Sequence, residues 1–282
     1  MPELPEVETV RRGLSPIMDG KRILSVQLNR ANLRFPFAEG FAERLTGARI
    51  ERLGRRAKFL VAELETGEAL IMHLGMSGRF TITGQGTPGE FHHEIAPNSK
   101  HDHVILNMEG GHIVTYNDPR RFGFMELWPL AEMETYPRLA GFGPEPLTNG
   151  FSHAWLNDAL RDKSGPIKSV LLDQRTIAGL GNIYVCEALY RAGISPRRRA
   201  STVPGSRAAR LAPAINDVIA EAIQAGGSSI SDFKAASGEL GYFQHSFAVY
   251  DREGEPCKKC GAPIKRIVQS GRSSFYCGNC QR

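Results

Sequence analysis

Four cysteines stand near the C-terminus as Cys257-x2-Cys260-x16-Cys277-x2-Cys280. Each pair sets two thiolates on a tight turn, and two such turns joined by a hairpin supply the four sulfurs of a tetrahedral zinc site. With sulfur in every position no place is left for water, so one structural Zn2+ per chain is expected rather than a catalytic metal. Two disulfides are the competing use of these thiols, and they conflict with the cytoplasmic setting argued below. Lys258, Lys259, Lys265, Arg266 and Arg272 decorate the ribbon and mark it as a candidate nucleic-acid finger, a bare structural cap being the alternative. The fifth thiol, Cys186, reads as packing within a helix.

The N-terminus carries a second kind of chemistry. Met1 precedes Pro2, a small residue that permits removal of the initiator methionine and leaves a secondary amine as the first group. Such an amine attacking a sugar C1′ gives a cationic iminium directly, and that cation is an electron sink for eliminations at neighbouring carbons. An α-amino group titrates near about 8, so a neutral fraction exists at neutral pH. Glu3 and Glu6 stand beside it, where a carboxyl is placed to move protons to and from the sugar. Taken alone, Pro and Glu in a first helical turn are ordinary helix-start chemistry.

Charge distribution agrees with a polyanionic partner. The net charge is +5, yet residues 1–60 carry +5, residues 191–210 carry +6 and residues 251–282 carry +4, leaving −10 on the remainder. Basic segments set off from an acidic body are what a nucleic-acid surface requires. At 282 residues, 41% hydrophobic and 23% charged, the chain has globular composition and the length of two domains or more. No apolar run approaches the roughly 18 residues of a spanning helix, and the charged opening MPELPEVE is unlike a signal peptide, so no membrane role and a cytoplasmic location are expected.

The elements that must position these groups are legible in outline. A helix is expected from near Pro5 through Val10 to Leu14. Short apolar runs bounded by turn residues follow at 23–28, 59–64, 69–74, 79–82, 104–108, 112–116 and 124–128, and their spacing predicts antiparallel hairpins in a sandwich. Residues 84–100, rich in Gly, Pro and His, read as a loop. Helical periodicity appears at 154–160, 167–172, 183–192 and 208–225, a Gly- and Ser-rich segment spans 226–241, and a compact module runs from Phe247. The expected class is α+β, divided as a β-sandwich domain (1–142), a helical domain (143–246) and a zinc hairpin (247–282).

Seven motifs then occur in one order: PELPEVETVRRG, Lys58 in RRAKFL, HLGMSG at 73–78, KHDHV at 100–104, DPRRFG at 118–123, GLGNIY at 179–184, and the paired CxxC. Together they closely resemble the formamidopyrimidine-DNA glycosylase family, bacterial enzymes that excise oxidised purines such as 8-oxoguanine. Leu4 in the opening PELPEV looks more like this family than like its sibling, endonuclease VIII, which begins PEGPEI and prefers oxidised pyrimidines.

The resemblance implies roles. Pro2 is the nucleophile and Glu3 the acid/base, with Glu6 and Glu187 supporting and Lys58 contacting a phosphate and donating a proton during β-elimination. Arg272 matches a basic finger residue assigned to δ-elimination, although a guanidinium hardly releases its proton and phosphate clamping suits it better. Met76, Arg120 and Phe122 match a wedge that fills the gap left by an extruded base. His73, His101, Asn182 and, more loosely, Lys163 match phosphate contacts, Asn182 opening a helix of a helix-two-turn-helix. Residues 226–241 match a lesion-capping loop. Cys186 departs from the pattern, where Asp or Ser is expected. A monomer acting on duplex DNA follows; the rivals are the pyrimidine-specific sibling and a non-catalytic zinc-ribbon nucleic-acid-binding protein.

Overall fold

A computed structural model of the chain describes residues 1–84, 99–228 and 241–282. The loop expected over 84–100 and the capping segment expected over 226–241 therefore lie, for 85–98 and 229–240, outside the described residues. The chain divides into two compact units, Met1–Ala140 with Gly226–Tyr242, and Gly141–Ala225 with Phe243–Arg282. Among the described residues no helix is long and apolar enough to cross a membrane.

In the first unit, α1 (Leu4–Met18) opens on a reciprocal capping box between Glu3 and Glu6. Its Val7, Val10, Leu14, Ile17 and Met18 recur at helical spacing and enter the core. A short α2 (Phe41–Leu45) follows β1 (Ile23–Leu28). The remaining strands are β2 (Ile50–Arg56), β3 (Phe59–Leu64), β4 (Glu68–His73), β5 (Arg79–Gly84), β6 (Asp102–Met108), β7 (His112–Asn117) and β8 (Phe124–Pro129). They form two antiparallel four-stranded sheets, ordered β1-β6-β7-β5 and β2-β3-β4-β8. Leu53, Leu60, Leu70 and Met72 from one sheet meet Phe80, Leu106, Val114 and Tyr116 from the other in a single apolar cluster, so the expected sandwich is present.

Strand β2 and helix α2 are additions to the sequence expectation. The register of β2 on β3 shifts between Ile50 and Arg52, and this irregularity lets Ile50 and Leu53, three apart, both face inward. Strict alternation is lost, and with it the sequence signal of a strand. The β2–β3 pair then closes through a two-residue turn, Ala57-Lys58, with Ala57 at φ 52°.

The second unit holds α3 (His153–Leu160), α4 (Ile167–Leu171), α5 (Asn182–Ala192), α6 (Ser206–Gln224) and the ribbon hairpin β9 (Ile264–Gln269) and β10 (Arg272–Cys277). Helix α5 is buried along almost its whole length and packs on α6, whose Leu211, Ile215, Val218, Ile219 and Ala222 form one apolar stripe.

Glu8 ties α1 to the Lys58 turn. Its carboxylate accepts from Arg11 (2.9 and 3.0 Å), Arg12 (2.9 Å) and Arg55 (3.2 Å), and Arg55 also donates to the Ala57 carbonyl at 2.9 Å. Burial alone pushes the Glu8 carboxyl up, but the hydrogen bonds from Arg11 and Arg12 and the charges of Arg11 and Arg55 outweigh it and hold the group at about 2. A depressed carboxylate contributes stability above its unfolded value, near 4.5, and loses it as pH falls toward 2. Glu8→Gln is expected to cost about 2 kcal/mol at pH 7, with the gap to wild type closing between pH 4.5 and 2 in denaturant titrations. A gap independent of pH would show that the carboxylate's charge does not hold the helix.

Candidate functional site

Pro2 is buried immediately behind an exposed Met1, and Glu3 and Glu6 are buried beside it. The Glu6 carboxylate accepts the Glu3 N–H on one oxygen at 2.9 Å, and the Ser228 N–H and hydroxyl on the other at 2.8 and 2.9 Å. A Cβ on Gly227, at φ +79°, would sit 3.1 Å from the Glu6 side chain, which keeps that approach open only to glycine. Ser228 also bridges to Tyr242, so Glu6 fastens the start of α1 to described residues on either side of positions 229–240. With both oxygens on these donors, Glu6 positions backbone at the start of α1.

Lys58 is 7% exposed at the tip of the β2–β3 turn. His73, at the end of β4, stacks on Phe124 with ring centroids 5.3 Å apart and packs on Phe59 at 4.9 Å. Its Nδ1 accepts the Gly75 N–H at 3.1 Å, which leaves Nε2 to carry the proton of the neutral ring. Burial first, then the charges of Lys58, Arg34 and Arg138, hold its pKa down to about 4. His73 is therefore a neutral donor at neutral pH, able to give one hydrogen bond to a phosphate oxygen.

The loops at 74–78 and 118–123 are joined through Asp118, which is fully buried. Its carboxylate accepts from Ser77 Oγ (2.6 Å), the Gly123 N–H (2.9 Å), the Arg120 N–H (3.3 Å) and Tyr116 OH (3.3 Å). The Asp118 N–H in turn bonds the His101 carbonyl at 3.0 Å, and its own carbonyl lies 2.9 Å from His103 Nε2. The loops touch backbone to backbone: a Cβ on Gly75 would lie 2.3 Å from the Gly123 nitrogen. Held on this frame, Met76 is 41% exposed and Phe122 43% exposed, and the Arg120 guanidinium lies 4.9 Å above the Phe122 ring. Large apolar side chains presented to solvent from two stitched loops suit insertion between bases.

In the second unit Asn182 starts α5, a helix with no side-chain N-cap. Its Nδ2 donates to the Ser273 carbonyl at 3.1 Å, while its Oδ1 is buried with no partner among the described residues. The ribbon turn Ser270-Gly271, at φ 49° and 73°, presents Arg272 to solvent, and Lys163 is exposed before α4. Asn182 and Arg272 are thereby brought to one place, next to the positive end of a helix dipole. The Glu187 oxygens accept the N–H groups of Ala248, Val249 and Tyr250 at 2.9, 3.0 and 2.8 Å. It anchors the entry to the ribbon, because α5 presents its carboxylate to three successive amides.

The four cysteine sulfurs lie within 4.8 Å of one another, with Cys260–Cys277 at 3.5 Å and Cys257–Cys280 at 3.9 Å. Zinc–sulfur bonds of about 2.3 Å in a tetrahedron demand sulfur separations of roughly 3.8 Å, so the donor set fits a structural zinc. Cys186 packs in the same apolar cluster as Cys257 and Cys277.

Two residues that the sequence reading missed prove central to the geometry. Asp118 was legible in principle, since Asp before Pro with glycine five on is a turn signature. Lys168 was legible as a lysine three before Leu171 on the apolar face of α4. It is 0% exposed, and its Nζ donates to the Ser273 carbonyl at 2.8 Å and Ser274 Oγ at 2.7 Å, fixing the strand that follows Arg272. If Lys168 serves to aim Arg272, then Lys168→Met and Arg272→Ala should each weaken binding to duplex DNA about tenfold, and the double variant should lose little more than either one. A cycle measured by fluorescence anisotropy checks this, and fully additive losses would separate the two residues.

The model for the Formamidopyrimidine-DNA glycosylase N-terminal domain matches residues 1–125, that for the Formamidopyrimidine-DNA glycosylase H2TH domain residues 142–234, and that for the zinc finger found in FPG and IleRS residues 254–282. Formamidopyrimidine-DNA glycosylase of Rhodopseudomonas palustris (strain TIE-1) is 56% identical over 291 residues, covering 100% of each chain. That of Ruegeria pomeroyi is 56% identical over 284 residues, again 100% of each. The crystal structure of the MutM (Fpg) protein from Thermus thermophilus matches with a TM-score of 0.85 at 39% identity, covering 99% of this chain and 98% of that one. Lactococcus lactis Fpg in complex with abasic-site DNA matches with a TM-score of 0.86 at 35% identity, covering 100% of each. With full-length relatives at this identity and the three family segments in order, the chain belongs to the formamidopyrimidine-DNA glycosylase family.

Proposed function

We propose that this protein removes oxidised purines, 8-oxoguanine and formamidopyrimidines among them, from duplex DNA and nicks the resulting site by β,δ-elimination. The observation that carries the reading is the start of α1, where Pro2 and Glu3 are buried together and Glu6 clamps the backbone between them and Ser228. Once Met1 is removed, the Pro2 nitrogen attacks C1′ of the damaged nucleotide. The C1′–base bond breaks, the base leaves with a proton, and the sugar ring opens as Glu3 protonates its oxygen. The iminium so formed acidifies C2′; loss of that proton expels the 3′ phosphate, and a second elimination expels the 5′ phosphate. Water then releases the sugar fragment and restores the amine.

The other residues bind and orient. Lys58 meets a phosphate near the sugar, and His73, His101, Asn182, Lys163 and Arg272 hold phosphates along the strand. Met76, Arg120 and Phe122 occupy the gap left by the flipped nucleotide, Arg120 donating to the estranged base. One zinc per chain holds the ribbon and takes no part in bond breaking. We read the protein as a monomer working on DNA in the bacterial cytoplasm. The Lactococcus lactis Fpg structures with abasic-site and Fapy-dG DNA support this substrate class.

Because the nucleophile exists only after Met1 leaves, a chain with an N-terminal extension should bind lesion DNA yet form no adduct under borohydride. Efficient trapping by the extended chain would remove Pro2 from the role, and absence of trapping by the processed chain would favour the non-catalytic zinc-ribbon reading. Running 8-oxoguanine and dihydrouracil duplexes side by side separates the purine enzyme from its pyrimidine sibling.

The wedge is tested separately. Arg120→Ala should slow single-turnover excision and relax preference for cytosine opposite the lesion by about 1 to 3 kcal/mol, while cleavage at a preformed abasic site changes far less. Equal slowing on both substrates with an unaltered opposite-base profile would make Arg120 an ordinary phosphate contact.

A further inference from the structure

We infer that Tyr190 is a positioning residue of the zinc centre, its hydroxyl donating to the Cys257 thiolate and governing how readily the metal leaves. The inference rests on the four-cysteine zinc site and is independent of the proline chemistry, so failure of borohydride trapping leaves it standing.

Tyr190 is 3% exposed and lies three residues beyond Glu187 on α5, on the same helix face. Its hydroxyl is 3.3 Å from Cys257 Sγ. Between a phenol and a free thiol either group can donate, but a metal-bound sulfur carries no proton, so with zinc in place the phenol must donate. Four thiolates around Zn2+ leave a double negative charge, which needs donors wherever water cannot reach. Cys257 is buried whereas Cys260 is exposed, so the phenol serves a sulfur with little access to solvent. The backbone supplies the other donors, Lys259 N–H to Cys257 and Cys280 N–H to Cys277, each at 3.4 Å. Among the described residues Tyr190 is the only side chain other than cysteine that hydrogen-bonds these sulfurs. The Lys259 ammonium lies 4.9 Å from the centre of the Tyr190 ring and draws density from it, which strengthens the O–H as a donor.

A hydrogen bond to a metal thiolate lowers the energy of the sulfur lone pair, spreads the negative charge of the cluster onto the donor and holds the ligand in place against displacement. Tyr190 accordingly retards metal loss from the cluster that carries the Arg272 hairpin, and does so from the helix whose first residue is Asn182.

The test uses the full-length, zinc-loaded chain. In Tyr190→Phe, which keeps the ring and its lysine, zinc transfer to the chelator 4-(2-pyridylazo)resorcinol should be about tenfold faster. In the cobalt(II)-loaded variant the sulfur-to-metal charge-transfer band should move to lower energy. Phe275→Leu, in the same apolar cluster, should lower the melting temperature without moving the band, which separates electronic from packing effects. A Tyr190→Phe chain with unchanged band and unchanged transfer rate overturns the inference. Should that variant fail to fold, wild type loaded with NMR-active cadmium decides: coupling from the metal to the Tyr190 hydroxyl proton is expected beside that to the Lys259 amide. The amide coupling alone, with the hydroxyl proton observed and uncoupled, overturns it.

Discussion

One carboxylate, Glu6, joins the first residues of the chain to a segment 222 positions away. A group at a chain terminus is tethered from one side only, and its backbone entropy is not reduced by anything upstream. Here the restraint comes from downstream. Glu6 takes the Glu3 N–H, which fixes the orientation of the residue joined to Pro2, and through Ser228 it ties that geometry to Tyr242 as well. Glu8, half a turn further along α1, then fastens the helix to the turn carrying Lys58 by way of Arg55. The groups proposed to react are thus placed by carboxylates that do not themselves react.

The same device recurs. Asp118 gathers Ser77 and the amides of Arg120 and Gly123, and Glu187 gathers the amides of 248–250 ahead of the ribbon. Burying a carboxylate is costly unless several donors replace its water, and charge-assisted bonds from two or three backbone N–H groups supply that replacement. Each cluster also satisfies loop amides that would otherwise be orphaned where the chain leaves regular structure. Irregular backbone is therefore held nearly as firmly as a strand, at the places that carry Pro2, Arg120 and the Arg272 hairpin.

Much of this frame is legible in the sequence, and the reasons for the exceptions are physical. Strands with plain alternation, such as β6 and β7, and helices with a full apolar stripe, such as α6, announce themselves in local pattern. Strand β2 did not, because its irregular register moves Leu53 out of phase. The zinc ligands were legible from spacing, since chelation geometry constrains neighbours in sequence. The duties of Glu6, Glu187, Lys168 and Tyr190 were not, because each is set by partners 61 to 222 residues away, and residue type alone does not say whether a carboxylate faces a substrate or a backbone. Glu187 makes the point most sharply: nothing in its type or spacing announces the three amides it gathers ahead of the ribbon.

Rigidity of the proposed wedge follows from the close approach of its two loops. A Cβ at Gly123 would lie 1.8 Å from the Tyr116 hydroxyl and 2.6 Å from the His73 carbonyl, so the loops pack with no room for rearrangement at their junction. Arg121, at φ 56°, is held in the left-handed region between the two presented side chains, and the turn bond from its N–H to the Asp118 carbonyl keeps it there. Phe122 and Arg120 already lie against each other, which removes part of the rotamer entropy that insertion would otherwise cost. A preformed wedge resists the duplex in proportion to its stiffness: a soft loop would yield to an intact base stack, whereas one pinned through a buried carboxylate transmits the strain to the nucleotide. With the two loops acting as proposed, the conformational work falls on the DNA, where a weakly stacked or mispaired nucleotide yields at least cost.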